Sequence, residues 1–131
     1  MVSVIIDNRK GGVSLNVTML IVVFTFIVLD LVVGIIKALA TSTYKSLKMR
    51  EGLWHKLGEI LCVAFGVLCE TAFPYVGITV NIPMVTTICV YIVLMETGSI
   101  VENIAVISPN IQKVLSKVFG DYSKDDEHEG E

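Results

Sequence analysis

Apolar positions along the chain fall into three long runs, at about 15–39, 57–79 and 83–107. A basic stretch at 40–56 separates the first two, and a short uncharged turn, PYVGITVNIP, separates the others. Each run reaches the ~20 residues that carry a helix across a ~30 Å hydrocarbon layer. The polar residues inside the runs are not scattered. In the third run Ile92, Glu96, Ser99 and Asn103 fall within roughly a 60° arc at about 100° per residue, with Glu102 beside it. The first run places Asp30, Gly34 and Lys37 on one face at i, i+4, i+7. In the second, Glu59, Cys62, Gly66 and Glu70 follow i, i+3, i+7, i+11, before Pro74 and Gly77 end or kink it. Each run therefore predicts a transmembrane helix with lipid on most sides and one narrow polar stripe.

The flanking segments complete the organisation. In the linker 40–56, Lys45, Lys48, Arg50 and Lys56 oppose a single Glu51, and Tyr44, Leu47 and Trp54 suit a helix lying at headgroup depth. Gly52 is expected to break that helix, and attraction to anionic lipid explains its charge. Nothing there resembles a nucleic-acid recognition fold. After Pro109, Ile111, Val114, Leu115, Val118 and Phe119 keep helical spacing opposite Lys113 and Lys117, which predicts an amphipathic surface helix at 108–120. The acidic end, 121–131, is expected to be disordered, with His128 solvated in it. Residues 1–14 are the extracytoplasmic N-terminal segment. The fold class expected is an all-α membrane protein: a three-helix transmembrane domain at 15–107, an interfacial basic linker helix and a short amphipathic C-terminal helix.

Composition sharpens this picture. The chain has 131 residues, 53% of them hydrophobic and 18% charged, with a mean hydropathy of +0.74. That balance suits one small integral membrane domain and leaves no room for a separate soluble catalytic domain. Ala38-Leu39-Ala40 has the form of a signal-peptide cleavage site, yet the preceding core is too long and is interrupted by Asp30 and Lys37. The first run therefore reads as an uncleaved anchor. Cys62, Cys69 and Cys89 all lie in apolar runs and read as small buried hydrophobes, not as a disulfide or metal set.

Charge also sets orientation. Lys45, Lys48, Arg50, Lys56, Lys113, Lys117 and Lys124 fall on one side of a three-span chain, and Arg9 and Lys10 on the other. The N-terminus is then expected outside and the C-terminus in the cytoplasm. In that frame Asp30, Glu70 and Glu96 lie at least ~10 Å from the cytoplasmic face, with no lysine or arginine expected at their depth. Each costs about 2.5–3.5 kcal/mol at a helix centre, a physical motive for pairing the stripes between copies around water. The bland alternative is a compact bundle in which the stripes satisfy one another. Catalysis finds little support: there is no Ser-His-Asp set, phosphate loop or HExxH, and His55 beside Lys56 and Glu59 reads better as an interfacial histidine. No cofactor or metal is expected.

Three patches, LDLVVGIIKAL, STYKSLKMREGLWHKLGEI and YIVLMETGSIVENIAVISPNIQKVL, occur in an order that resembles the phage holins grouped with the clostridial toxin-secretion holins. Asp30, Gly34, Lys37 and Ala38 match the family's first motif, and Ser42, Ser46, Gly52 and Lys56 its link. Glu96, Ser99, Glu102, Asn103 and Pro109 match the third and most specific motif, within a resemblance spanning roughly residues 20–118. It implies a non-enzymatic protein of the bacterial cytoplasmic membrane that oligomerises into lesions. These release an endolysin in phage lysis or help toxins and other large proteins leave. The stripe residues Asp30, Gly34, Lys37, Glu59, Gly66, Glu70, Glu96, Ser99, Glu102 and Asn103 would line the lesion or the oligomer interface. Tyr44, Trp54, Lys45, Lys48, Arg50 and Lys56 would anchor the linker at the membrane surface. Internal Met19 lies within the first span, which does not suit the dual-start timing device of many holins. Two rivals are weaker. A mechanosensitive large-conductance channel is faintly similar at DLVVGII but has a large external loop that is missing here. The three-span diacylglycerol kinases are vaguely echoed by ETGSIVENIA without their asparagine-threonine-alanine-isoleucine core.

Overall fold

The computed structural model describes residues 3–5 and 14–119. The acidic tail 121–131 and most of the N-terminal segment lie outside the described residues. A short antiparallel pair, β1 (Ser3–Ile5) with β2 (Ser14–Asn16), precedes the helices, with Val4 opposite Leu15. No period-2 pattern in the chain is long enough to announce it. Helix α1 spans Val17–Ala40, α2 Ser46–Ala72, α3 Met84–Ile107 and α4 Pro109–Phe119. Three helices are long and apolar enough to cross a membrane, as the hydrophobic runs predict.

Local chemistry sets the boundaries. The Asn16 side chain accepts from the Met19 N–H and caps α1, satisfying one of the free donors of the first turn. At the other end Thr41 donates its hydroxyl to Lys37 O, and Ser42 takes a left-handed φ of 53° that reverses the chain. After α2 a 3₁₀ turn, Phe73–Val76, ends on Gly77 at φ 73°, a conformation that glycine adopts without penalty. Ser108 is extended before Pro109, which separates α3 from α4. Gly52 does not break the linker: α2 runs through it unbroken. One glycine costs a helix interior only about 1 kcal/mol, too little to end a helix of this length.

α3 packs against both α1 and α2, whereas α1 and α2 touch at few positions. Contacts between α1 and α3 show the two running parallel, with α2 antiparallel between the same levels. The inward positions recur at alternating spacings of four and three: Val23, Ile27, Asp30, Gly34 and Lys37 on α1; Lys56, Glu59, Val63, Gly66 and Glu70 on α2; Val85, Cys89, Ile92, Glu96, Ser99 and Asn103 on α3. This is the seam of a helical bundle. Its interior has two storeys. Val23, Ile27, Val85, Cys89 and Ile92 form an apolar layer toward the N-terminal ends of α1 and α3, and the buried charges lie above it. The outer surface is apolar, with Phe24, Leu29, Leu61, Phe65, Leu68 and Leu94 all exposed. An inside-out distribution of this kind is stable only if lipid covers the outside. Cys62 is on that outer face, whereas Cys69 and Cys89 are buried; all three are free thiols.

Candidate functional site

The buried charges converge on one side chain. Lys56 Nζ lies 2.8 Å from Asp30 Oδ2 and 3.7 Å from Glu59 Oε2, and it donates to both carboxylate oxygens of Glu96. The three acids are 7%, 9% and 2% exposed, so little water reaches them. Helix geometry explains the convergence. Asp30 lies ten residues before the end of α1, Lys56 ten after the start of α2 and Glu96 eleven before the end of α3, each roughly 15 Å from its helix end. Up-down-up threading brings those three levels into register.

The set extends toward the α1–α2 turn through an amide. Asn103 donates its Nδ2 to Asp30 Oδ1 at 3.3 Å, and its Oδ1 accepts from Lys37 Nζ at 3.0 Å. Gly34 faces this amide: a Cβ there would stand 3.8 Å from Asn103 Nδ2, an ordinary van der Waals contact. Asp30 thus finds its partners on α2 and α3 and not on Lys37 of its own helix. If all groups are ionised, three carboxylates face two ammoniums within this connected network. Neither buried oxygen of Glu59 accepts a hydrogen bond, although His55 Nε2 stands 3.3 Å from Oε1.

Two expectations need correction. A basic side chain does reach the depth of Asp30 and Glu96, and it is Lys56, expected at the membrane surface. Its inward direction follows from the unbroken α2. The stripe Glu59, Gly66, Glu70 continues backward by three residues onto Lys56, so a helix without a break at Gly52 must turn Lys56 inward. That backward extension was a signal available in the sequence.

The remaining stripe residues have other surroundings. Glu70 is remote from Lys56: its Oε1 accepts from the Val85 N–H at 3.0 Å. Pro83 precedes α3 and offers no capping side chain, so Glu70 supplies the acceptor from the neighbouring helix. Gly66 packs closely against α3, where a Cβ would stand 2.7 Å from Ile88 Cδ1. Ser99 lines a cavity beside the ion cluster, and Glu102 is exposed on the outer side of α3. Tyr44, Lys45, Lys48, Arg50 and Trp54 are exposed around the start of α2.

Chemically, this arrangement sets buried charges of opposite sign against one another. The carboxylates surround an ammonium, and among the described residues no grouping of histidine, cysteine, aspartate and glutamate is suited to hold a metal ion. No curated protein and no solved structure is detectably similar to the chain. Residues 12–124, which contain all three spans and the whole ion cluster, match the bacteriophage holin family, and the chain belongs to that family.

Proposed function

We propose that the protein acts as a holin in the bacterial cytoplasmic membrane, N-terminus outside and C-terminus in the cytoplasm, without enzymatic activity of its own. It accumulates as a closed three-helix unit and then assembles with further copies into lesions that pass folded proteins. In a lysis setting the cargo is a wall-degrading endolysin; in an export setting it is a toxin or another large protein. The cargo need not touch the holin.

The observation that carries this reading is the buried ionic layer around Lys56 inside an otherwise lipid-compatible surface. Among the described residues, the three spans of a single chain turn no polar stripe outward to line a water-filled lesion. Asp30, Gly34 and Lys37 with Glu59, Glu96, Ser99 and Asn103 are polar enough, and they are turned inward. Opening therefore means separating helices so that these stripes face water and other copies, with ion pairs exchanged for hydration. Before that change the Lys56 cluster keeps the monomer harmless. Depolarisation is a suitable trigger, because each elementary charge moved across 100 mV is worth about 2.3 kcal/mol. The exposed Glu102 adds a polar contact for a neighbouring copy.

Inducible expression in bacteria tests the reading. The expected outcome is accumulation without harm, followed by abrupt growth arrest and escape of a cytoplasmic reporter enzyme. Dissipating the membrane potential should advance the arrest. Membrane-inserted protein that leaves the reporter inside, even after the potential is collapsed, overturns the proposal.

A further inference from the structure

Beside the ion cluster a cavity of about 350 Å³ opens between α1, the first turns of α2 and α3, a size within the range that takes small polar ligands. Its rim carries Lys37, Lys45 and Lys48, and its base is formed by Asp30 with Lys56. Asp30 already holds Lys56 and Asn103, so it does not offset the rim. Among the described residues, Lys45 and Lys48 have no carboxylate within 4.0 Å; even Glu51, close in sequence, is beyond ion-pair distance of either. Two exposed ammoniums that no described carboxylate pairs, at the mouth of a cavity, make a site for an anion.

The surroundings say which anion. α1 and α2 touch at few positions, so the cavity is open sideways, between helices, at a place where lipid surrounds the bundle. The α1 wall of that opening is apolar, formed by Leu31 and Ile35, and runs down from the lysine rim toward the hydrocarbon. Lys37 lies seven residues beyond Asp30, about 10 Å nearer the helix end, which is headgroup level for a helix of this length. A ligand with a phosphate at the lysines and acyl chains along Leu31 and Ile35 fits both halves. We propose that this cavity binds the phosphate of an anionic phospholipid, one per chain, with Lys45 and Lys48 as its principal contacts. Basic pockets between membrane helices suit such headgroups physically. The inference stands apart from the lesion reading and neither needs it nor supports it.

The test uses the full chain purified in a mild non-ionic detergent. Native mass spectrometry follows retention of added phosphatidylglycerol, phosphatidylcholine and inorganic phosphate. The expected result is one retained phosphatidylglycerol per chain, little phosphatidylcholine and no retained inorganic phosphate. Lys45→Ala with Lys48→Ala should weaken phosphatidylglycerol binding about 30-fold, the size that two lysine–anion contacts supply. Arginine at both positions should restore it. Lys113→Ala with Lys117→Ala, which removes the same charge from α4, should leave it unchanged. Equal retention of both lipids, retention of inorganic phosphate alone, or equal loss in the two double-alanine proteins would each overturn the proposal. Circular dichroism of every variant excludes loss of fold as the cause.

Discussion

Replacing Lys56 by methionine keeps most of the side-chain length and removes the one ammonium that faces Asp30, Glu59 and Glu96 together. All three carboxylates are less than a tenth exposed, so water can replace little of its role. Removing one partner of a buried ion pair costs about 3–5 kcal/mol. Here the lower end applies, about 3 kcal/mol, because Asp30 keeps its hydrogen bond from Asn103 and a carboxyl can take up a proton instead of remaining charged. Such a loss weakens the closed bundle against its opened form by more than a hundredfold. Stability is read from titration of the detergent-solubilised protein with a denaturing detergent, followed by far-ultraviolet circular dichroism. Lys56→Met should unfold about 3 kcal/mol more easily than wild type, and in cells reporter escape should begin earlier after induction. Adding Asp30→Asn, Glu59→Gln and Glu96→Gln should return much of the loss, since no unpaired carboxylate then remains beside the missing ammonium. A Lys56→Met protein within about 0.5 kcal/mol of wild type refutes the ionic-layer account, since that is the scale of a neutral surface change.

Glu96→Gln alone, or Asp30→Asn alone, should insert normally but shift the onset of reporter escape or abolish it; unchanged onset in both counts against stripe-driven assembly. Gly66→Ala should cost less than 1 kcal/mol because the flexible end of Ile88 can move aside, while Gly66→Leu should cost about 1–3 kcal/mol in the same detergent titration. Glu70→Ala removes the acceptor for the Val85 N–H and should cost about 1 kcal/mol, with Glu70→Gln close to wild type. In a background with the three native cysteines replaced, Asn81→Cys should react with an impermeant maleimide in intact cells, and Lys117→Cys only after the membrane is breached. The reverse pattern would invert the orientation.

The three spans were determined by the sequence alone, because ~20 apolar residues in a row have one low-energy arrangement in a bilayer, a helix with its backbone hydrogen bonds internal. The polar stripes were equally plain, since position on a helix face follows from spacing within one run. α4 followed from the spacing of its apolar residues and from Pro109, which cannot continue the preceding helix. What belonged to tertiary structure was the pairing between stripes. Which level of α1 meets which level of α2 depends on the turn at 41–45 and on whether the helix survives Gly52, and neither is fixed by periodicity. Lys56 shows the consequence. In isolation it is one more basic residue of a surface linker; in an unbroken α2 it lies on the same face as Glu59 and Gly66, opposite Asp30 and Glu96. Glu70 shows the converse, a stripe carboxylate that serves as the cap of a neighbouring helix because Pro83 cannot. Burial of charge in this protein is decided by helix register, a property of three segments at once, whereas membrane insertion is decided by each segment on its own.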